Sequence, residues 1–300
     1  MRPGRASDLP ALLELWRSEV RAGLRDSVPS EPQVQGLLAQ FDWGARSRMA
    51  DDGAAALAGA VVVSSRPSPE GIVARIDPAV ASRTDTPLVM RDLVQWGLQL
   101  SRAAGAAAAQ VWVGPGQGGL LEGLGLEMVR PWWRMDRTLA IGTVPTPVPI
   151  TGYRLLDGVA VPKGSWAPMH NRSFADHWRF SPRTEDELIA GKPPRLCLMA
   201  VTAVSGEPAA VTLCQLETYG EDSRPQPVGL VSSVGTVPEH RRRGLATWLV
   251  AESLLRLRDA GAPCASLYVD GLNETRAFDA YRKLGFELAF ETEVWEATFR

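Results

Sequence analysis

Cysteine and histidine are scarce in this chain of 300 residues, with three of each. Cys197, Cys214 and Cys264 are scattered and show neither C-x-x-C nor Cys/His spacing, so no metal site and no disulfide framework is expected; each sits in an apolar setting that suits a reduced core thiol. Long hydrophobic runs are missing as well. The longest, around Ala54 to Val63, falls well short of the roughly 20 residues that a membrane span needs and reads as a strand. The N-terminus "MRPGRASDLP" has no apolar signal core, which makes the cytoplasm the expected location. An excess of one charge is absent too: 32 Lys plus Arg face 34 Asp plus Glu, a net charge of −2. That balance excludes a general nucleic-acid or anionic-membrane surface.

The length favours two domains of about 150 residues. Residues 141 to 152, "IGTVPTPVPITG", are rich in Pro, Thr and Gly without a hydrophobic period, as in an extended linker. Domains over 1–140 and 153–300 are expected on either side. In the first, Ser7 is the expected cap of a helix through "DLPALLELWRSEV", whose Leu9, Leu12, Leu13, Trp16 and Val20 make one apolar stripe. Strands are expected in "AAALAGAVVVSS" and "GIVARIDP", then a helix closed by Gly105 and the buried strand "AAAQVWV". The second half follows the same plan: a hairpin in "CLMAVTAVSGEPAAVTLCQLE", a strand "VGLVSSVGTV", a helix from Leu245 to about Ala260, the strand "ASLYV", and a short helix stopped at Gly285. Pro78 and Pro238, each expected to end a strand, are 160 residues apart, as are Gly125-Leu126 and Gly285-Phe286. A shared offset at two anchors predicts a duplicated domain.

The stretch "VPEHRRRGLAT", residues 237 to 247, joins a strand directly to a helix. The first amides of that helix have no partner inside it, and with the positive end of the helix dipole they make an anion site. Gly244 lets a phosphate approach where a Cβ would obstruct it, while Arg241, Arg242 and Arg243 are expected to ring the site with mobile positive charge. Taken alone, three arginines would equally suit a solvated basic loop.

Here the sequence resembles the GCN5-related N-acetyltransferase (GNAT) superfamily. Arg241-x-x-Gly244-x-Ala246 matches the acyl-CoA loop Q/R-x-x-G-x-G/A at the same strand-to-helix junction, and "NETRAFDAYRKLGF" supplies Asn273, Ala277, Tyr281, Gly285 and Phe286 at the later signature. The tandem layout, with "LYVDGLNETRAFDAYRKLGF", is similar to the mycothiol synthase group of that superfamily. The resemblance implies an α/β fold with an α+β mixed sheet: two tandem GNAT-like domains, each a central, mostly antiparallel sheet flanked by helices. It also implies an acyl-CoA-dependent N-acyltransferase using acetyl-CoA or another acyl-CoA, with a small-molecule amine as acceptor and no nucleic-acid or membrane partner. Backbone amides of Arg243, Gly244, Leu245, Ala246 and Thr247 would hold the pyrophosphate. Val234 and Thr236 would pair with the pantetheine arm where two strands splay, Asn273 would touch that arm, and Tyr281 would protonate the departing thiolate. A phenol near pKa 10 exceeds a thiol near 8.5, so the proton moves downhill once the two are close. From spacing alone, Tyr281 would equally serve as a core residue on the stripe with Ala277 and Leu284.

The chain also departs from the pattern. Many members carry a glutamate base six residues before the position of Thr236, where this chain has Leu230. Ser232 and Ser233 can order a water there but cannot hold a proton at neutral pH. Better candidates lie in the acceptor wall, "MHNRSFADHWRFSPRTEDEL", which carries His170, Asp176, His177, Glu185 and Glu187 between Phe174 and Trp178; a histidine suits the task and His177 is taken as the catalytic one. A polar loop with packed aromatics is the alternative for that stretch. Moved back by 160, the arginine-glycine turn falls on "ASRTDT", with Arg83 and no glycine, so the first domain is expected to be a degenerate copy. Gly114, Gly116 and Gly119 form a G-x-G-x-x-G without the following helix of a dinucleotide fold, and a loop is expected there. A protein-amine acylase and a non-catalytic acyl-CoA sensor are the competing functions.

Overall fold

A computed structural model describes the whole chain except Ala54, Ala55, Arg83, Thr84, Glu274, Thr275, Arg276 and Arg300. The lone arginine of "ASRTDT" and three residues of "NETRAF" therefore lie outside the described residues. Among the described residues no helix is long and apolar enough to cross a membrane.

There are two compact units. One comprises Met1–Trp132, Tyr219–Ser223 and Phe290–Arg300, and the other comprises Trp133–Thr218 and Arg224–Ala289. In chain order the elements are β1 (Arg2–Pro3), α1 (Leu9–Arg21), β2 (Val28–Pro29), α2 (Glu31–Leu38), α3 (Trp43–Arg46), β3 (Ser47–Asp51), β4 (Leu57–Ser68), β5 (Gly71–Val80), α4 (Thr86–Ala103), β6 (Ala108–Val113) and β7 (Glu127–Thr138). After residues 139–152, which hold no helix or strand, come β8 (Tyr153–Asp157), α5 (Trp166–Phe174), α6 (Glu185–Ile189), β9 (Cys197–Thr202), β10 (Pro208–Glu217), β11 (Tyr219–Glu221) and β12 (Val228–Thr236). The chain finishes with α7 (Leu245–Asp259), β13 (Cys264–Asp270), α8 (Ala277–Lys283) and β14 (Glu287–Thr298).

In the first unit the strands run β1-β3-β4-β5-β6-β14, with β5 and β6 parallel and the other pairs antiparallel. Alternation along β4 serves two cores at once. Ala60 and Val62 join Leu12, Leu13 and Trp16 of α1, while Val61 and Val63 join Met90, Leu93 and Val94 of α4. In the second unit the order is β7-β13-β12-β10-β9-β8, with β12 and β13 the parallel pair. Val211 and Leu213 of β10 pack with Trp166 and Met169 of α5, whereas Cys214 and Val231 lie with Val250, Leu254 and Leu257 of α7. Each sheet is mixed and mostly antiparallel, with helices on both faces.

Two local expectations are corrected. Ser7 lies inside a 3-10 turn, Ala6–Asp8, and Asp8 is the N-cap of α1. Pro78 does not end β5, which runs on to Val80 with Pro78 opposite Val61. Antiparallel partners alternate between bonded and non-bonded pairs, so a proline survives where its missing N–H is not called upon. The other anchor agrees with the structure: Gly125 and Gly285 both have left-handed backbone, and β7 and β14 begin at 127 and 287 and end at 138 and 298. Gly114, Gly116 and Gly119 lie in a turn and short 3-10 helix after β6.

Candidate acyl-CoA site

The site begins where β12 and β13 part. Their ladder holds only from Val228–Val231 against Cys264–Leu267, although β12 continues to Thr236 and β13 to Asp270. The cause is local. The register of β12 against β10 slips by one at Ser232, between Leu213 opposite Ser233 and Cys214 opposite Val231, and a bulge of this kind bends the strand. Ser232 Oγ fastens the bulge by donating to the Leu213 carbonyl at 2.9 Å. Beyond Val231, the edge of β12 that faces β13 has no strand partner among the described residues; Val234 and Thr236 lie on that segment. An open edge of this kind can pair with an extended, amide-bearing arm.

At the end of β12, Pro238 breaks the ladder and a 3-10 turn, Pro238–His240, redirects the chain. Arg242 (φ +60) and Gly244 (φ +85) then take left-handed backbone, and α7 starts at Leu245. A glycine suits the N-cap here because a side chain in that conformation is strained. Leu245 is buried with Trp248 and Leu249 against Ala200, Ala209 and Ala210, which fixes the axis of the helix. Among the described residues, the amides of Arg242 through Thr247 meet no acceptor. They form a concave set of donors at a helix start, the arrangement that binds phosphate.

The three arginines differ in role. Arg241 is a clamp. It pairs with Asp176 at 2.5 Å and donates to the carbonyls of Thr236 at 3.1 Å and Ser173 at 3.0 Å, tying the end of α5 to the end of β12. Arg243 donates to the Tyr153 hydroxyl and the Glu239 carbonyl, both at 3.0 Å, and Tyr153 also meets His240 Nδ1 at 2.8 Å. Arg242 is exposed and, among the described residues, keeps its side chain unengaged. The mobile charge expected of all three is therefore confined to Arg242.

Tyr281 is only 8% exposed and belongs to the apolar cluster that contains Val231, Leu267 and Val269, the residues around the point where the strands part. Burial pushes its phenol well above the ordinary range, and its hydroxyl makes no hydrogen bond among the described residues. Its proton is therefore retained at neutral pH and is not committed elsewhere. Asn273 lies in the turn after β13, with its N–H donating to the Asp270 carbonyl at 3.1 Å.

The stretch expected to form the acceptor wall is α5 and the chain after it. Gly235 lets α5 approach β12: a Cβ there would stand 2.8 Å from Phe174 Cε2 and from Ser173 Cβ. His170 stacks on Phe174 at 4.5 Å and His177 meets the edge of the same ring at 4.7 Å. His170 is the one that reaches β12, with Nε2 3.4 Å from Ser233 Oγ. Leu230 is flanked by Gln215 on β10 and Ser266 on β13, and Ser266 Oγ donates to Asp136 at 2.6 Å. No motif pointed to Asn171, Ser266 or Asp136: register places Ser266 beside Leu230, and side-chain contacts bring Asp136 to Ser266 and Asn171 to His170.

The first unit has the same splay with its interior filled. Pairing of β5 with β6 stops at Ile76 and Val111. Glu19 Oε1 accepts from the Val80 N–H at 2.9 Å, and Arg25 Nη2 donates to the Pro78 carbonyl at 3.4 Å. Arg25 is held between Glu19 at 2.8 Å and Asp77 at 3.0 Å. These side chains occupy the β5 backbone groups that the corresponding segment of β12 leaves open.

A mixed sheet with a splayed parallel pair, a bulged strand and a glycine turn into a helix defines a GNAT fold. Residues 209–289 match the family described as an acetyltransferase (GNAT) domain. That match lies within the second unit, and the chain is similar to mycothiol acetyltransferases. That of Nocardiopsis dassonvillei is 36% identical over 139 residues, covering 44% of this chain and 41% of the relative; that of Thermobifida fusca is 31% identical over 191 residues, covering 57% of each. The chain thus spans about half the length of the curated relatives it matches. Among solved structures, a GCN5-related N-acetyltransferase from Sphaerobacter thermophilus superposes with a TM-score of 0.81 at 22% identity, over 100% of this chain and 95% of that one. A tandem GNAT protein from the clavulanic acid biosynthesis pathway gives 0.66 at 17% identity, over 99% and 97%. Both likenesses concern the fold.

Proposed function

We propose that the second unit binds acyl-CoA, acetyl-CoA foremost, and transfers the acyl group to a primary amine of a small molecule by direct attack, as a cytoplasmic enzyme. One observation carries this reading: the open edge of β12 leads straight into the unpartnered amides before and within the first turn of α7, while the corresponding groups of the first unit are bonded by Glu19 and Arg25. Acyl-CoA supplies a thioester already activated for attack. The amides of Arg243 to Thr247 hold its diphosphate, aided by the helix dipole and by Arg242. The edge of β12 around Val234 aligns the pantetheine arm so that the thioester lies where β12 and β13 part. Thr236 contributes less than expected, because its carbonyl already accepts from Arg241. Tyr281 holds its proton for the leaving sulfur. Relatives named as mycothiol acetyltransferases support a small-molecule acceptor.

Leu230, apolar where a carboxylate base is common, favours a second reading: a sensor that binds acyl-CoA without transfer. Release of free CoA thiol from acetyl-CoA across a library of amines separates the two. Turnover above the hydrolytic background is expected; tight acetyl-CoA binding with no turnover on any amine establishes the sensor instead. Tyr281→Phe should lower kcat by about 100-fold, within the range for general acids, and leave acetyl-CoA affinity within about threefold. Unchanged kcat removes Tyr281 from its role.

A further inference from the structure

Asn171 lies next to His170, and its amide orientation is fixed by two bonds to one residue. Asn171 Nδ2 donates to the Arg183 carbonyl and Oδ1 accepts from the Arg183 N–H, both at 2.9 Å. The oxygen of that amide is therefore the atom 3.4 Å from His170 Nδ1. An oxygen can only accept, so Nδ1 carries the proton and Nε2 keeps its lone pair. Nε2 is directed at Ser233 Oγ, 3.4 Å away, two residues past the last β12–β13 pair. Phe174 stacked on the ring and Ser173 packed at Gly235 hold this geometry.

We propose that His170, in its Nδ1–H tautomer and with Ser233 beside its Nε2, is the base that takes a proton from the acceptor ammonium, the role Leu230 cannot fill. The inference rests on the acyl-transfer reading. It assigns the base to His170 instead of His177, which makes an edge contact with Phe174 and lies beyond the C-terminal end of α5.

The step balances as follows. The ammonium gives one proton to Nε2 of His170, and the freed nitrogen lone pair forms the N–C bond as the C–S bond breaks. The sulfur takes the Tyr281 proton, the nitrogen returns its second proton to Tyr281, and His170 releases the first to water. The groups around His170 keep it neutral beforehand. Burial is the main cause, while Arg183 and His177 also disfavour a second positive charge, so its pKa lies below the ordinary 6.5 despite the Asn171 contact. The nearby carboxylates are engaged elsewhere: Asp176 by Arg241, Glu239 by Arg172, Glu185 by the amides of Gly164 and Ala167, and Glu187 by Thr184.

The test has two arms on the full chain. Long-range proton–nitrogen NMR of the imidazoles should show His170 as the Nδ1–H tautomer, titrating below pH 6.5, and Asn171→Leu should abolish that tautomer preference. With an amine found to turn over, His170→Gln should cut kcat at pH 7 by at least about 100-fold and remove the acidic limb of the pH profile, with acetyl-CoA affinity within about threefold. His177→Gln should lose less kcat than His170→Gln and keep the acidic limb of the pH profile, and Asn171→Leu should fall between wild type and His170→Gln. An Nε2–H tautomer, an undiminished His170→Gln, or a His177→Gln as damaged as His170→Gln overturns the proposal. A wild-type chain that binds acetyl-CoA, shows the Nδ1–H tautomer and acylates no amine overturns the functional reading, and the base with it.

Discussion

Replacing Gly244 with alanine separates the strain of a left-handed backbone from the loss of a phosphate site. Gly244 has φ +85, and an added Cβ would stand 3.3 Å from Ile150 Cδ1, the movable end of a side chain. The fold should therefore lose about 1–2 kcal/mol, the ordinary cost of an L-residue in that region. In a unit of this size that is a fall of about 2–8 °C in Tm. Binding should lose much more. A methyl group that keeps the diphosphate from two of the amides removes two charge-assisted bonds of about 1.5–3 kcal/mol each, or about 100- to 10,000-fold in Kd. Titration calorimetry with acetyl-CoA and a thermal melt read the two effects separately. Gly206→Ala is the control, because Gly206 has φ +73 in the β9–β10 turn, with only Arg154 Nη2 near the added carbon at 3.5 Å. It should reproduce the fall in Tm with acetyl-CoA affinity unchanged. If Gly244→Ala binds acetyl-CoA within threefold of wild type, the amides at this turn are not the diphosphate site.

Arg241→Met should destabilise the second unit by about 2 kcal/mol and weaken acetyl-CoA by less than tenfold, because its guanidinium serves α5 and β12; most of the loss comes from two carbonyl bonds, since Asp176 is half exposed and the ion pair gives at most about 1 kcal/mol. Arg241 holds the Asp176 carboxyl below its ordinary 3.8, so the ion-pair part of the difference is present above that value and disappears as acid protonates Asp176. Melts at pH 7 and pH 2.5 check it; a constant difference refutes the assignment. Arg25→Met should cost about 3–5 kcal/mol by stranding Glu19 and Asp77, with part of the loss recovered in Arg25→Met/Glu19→Gln. Burial pushes the Cys214 thiol up to about 12 and raises Cys197 as well, so the native chain should leave both unmodified by a thiol-specific chromogen that labels them after denaturation.

Much of the fold could be read from the sequence, because hydrophobic period and glycine punctuation are local signals. The helix expected from Leu245 to about Ala260 is α7, Leu245–Asp259, and the hairpin around the Ser-Gly-Glu turn is β9 and β10. The Ser7 cap was misread because Asp8 also suits that position and adopts it. Pro78 was misread because a break in pattern does not reveal which side of a ladder needs the N–H. The glycine turn into α7 was legible as a contiguous motif. The acceptor side was not, since Asn171, Arg183 and Ser233 come together through a side-chain bond across twelve residues and a strand 62 positions further on. Nor could the arginine run show that Arg241 faces inward, because Asp176 lies 65 residues away.

The Glu19–Arg25–Asp77 arrangement gives the first unit a charge lock that no single substitution opens without cost. Opening its splay to a ligand by losing Arg25 leaves two carboxylates facing each other, and losing either carboxylate leaves the guanidinium with half its neutralisation. Each single change is harmful before any pair of changes is useful. The interlocked charges therefore keep the β5 edge engaged against any single substitution, and opening it to a ligand takes at least two coordinated changes.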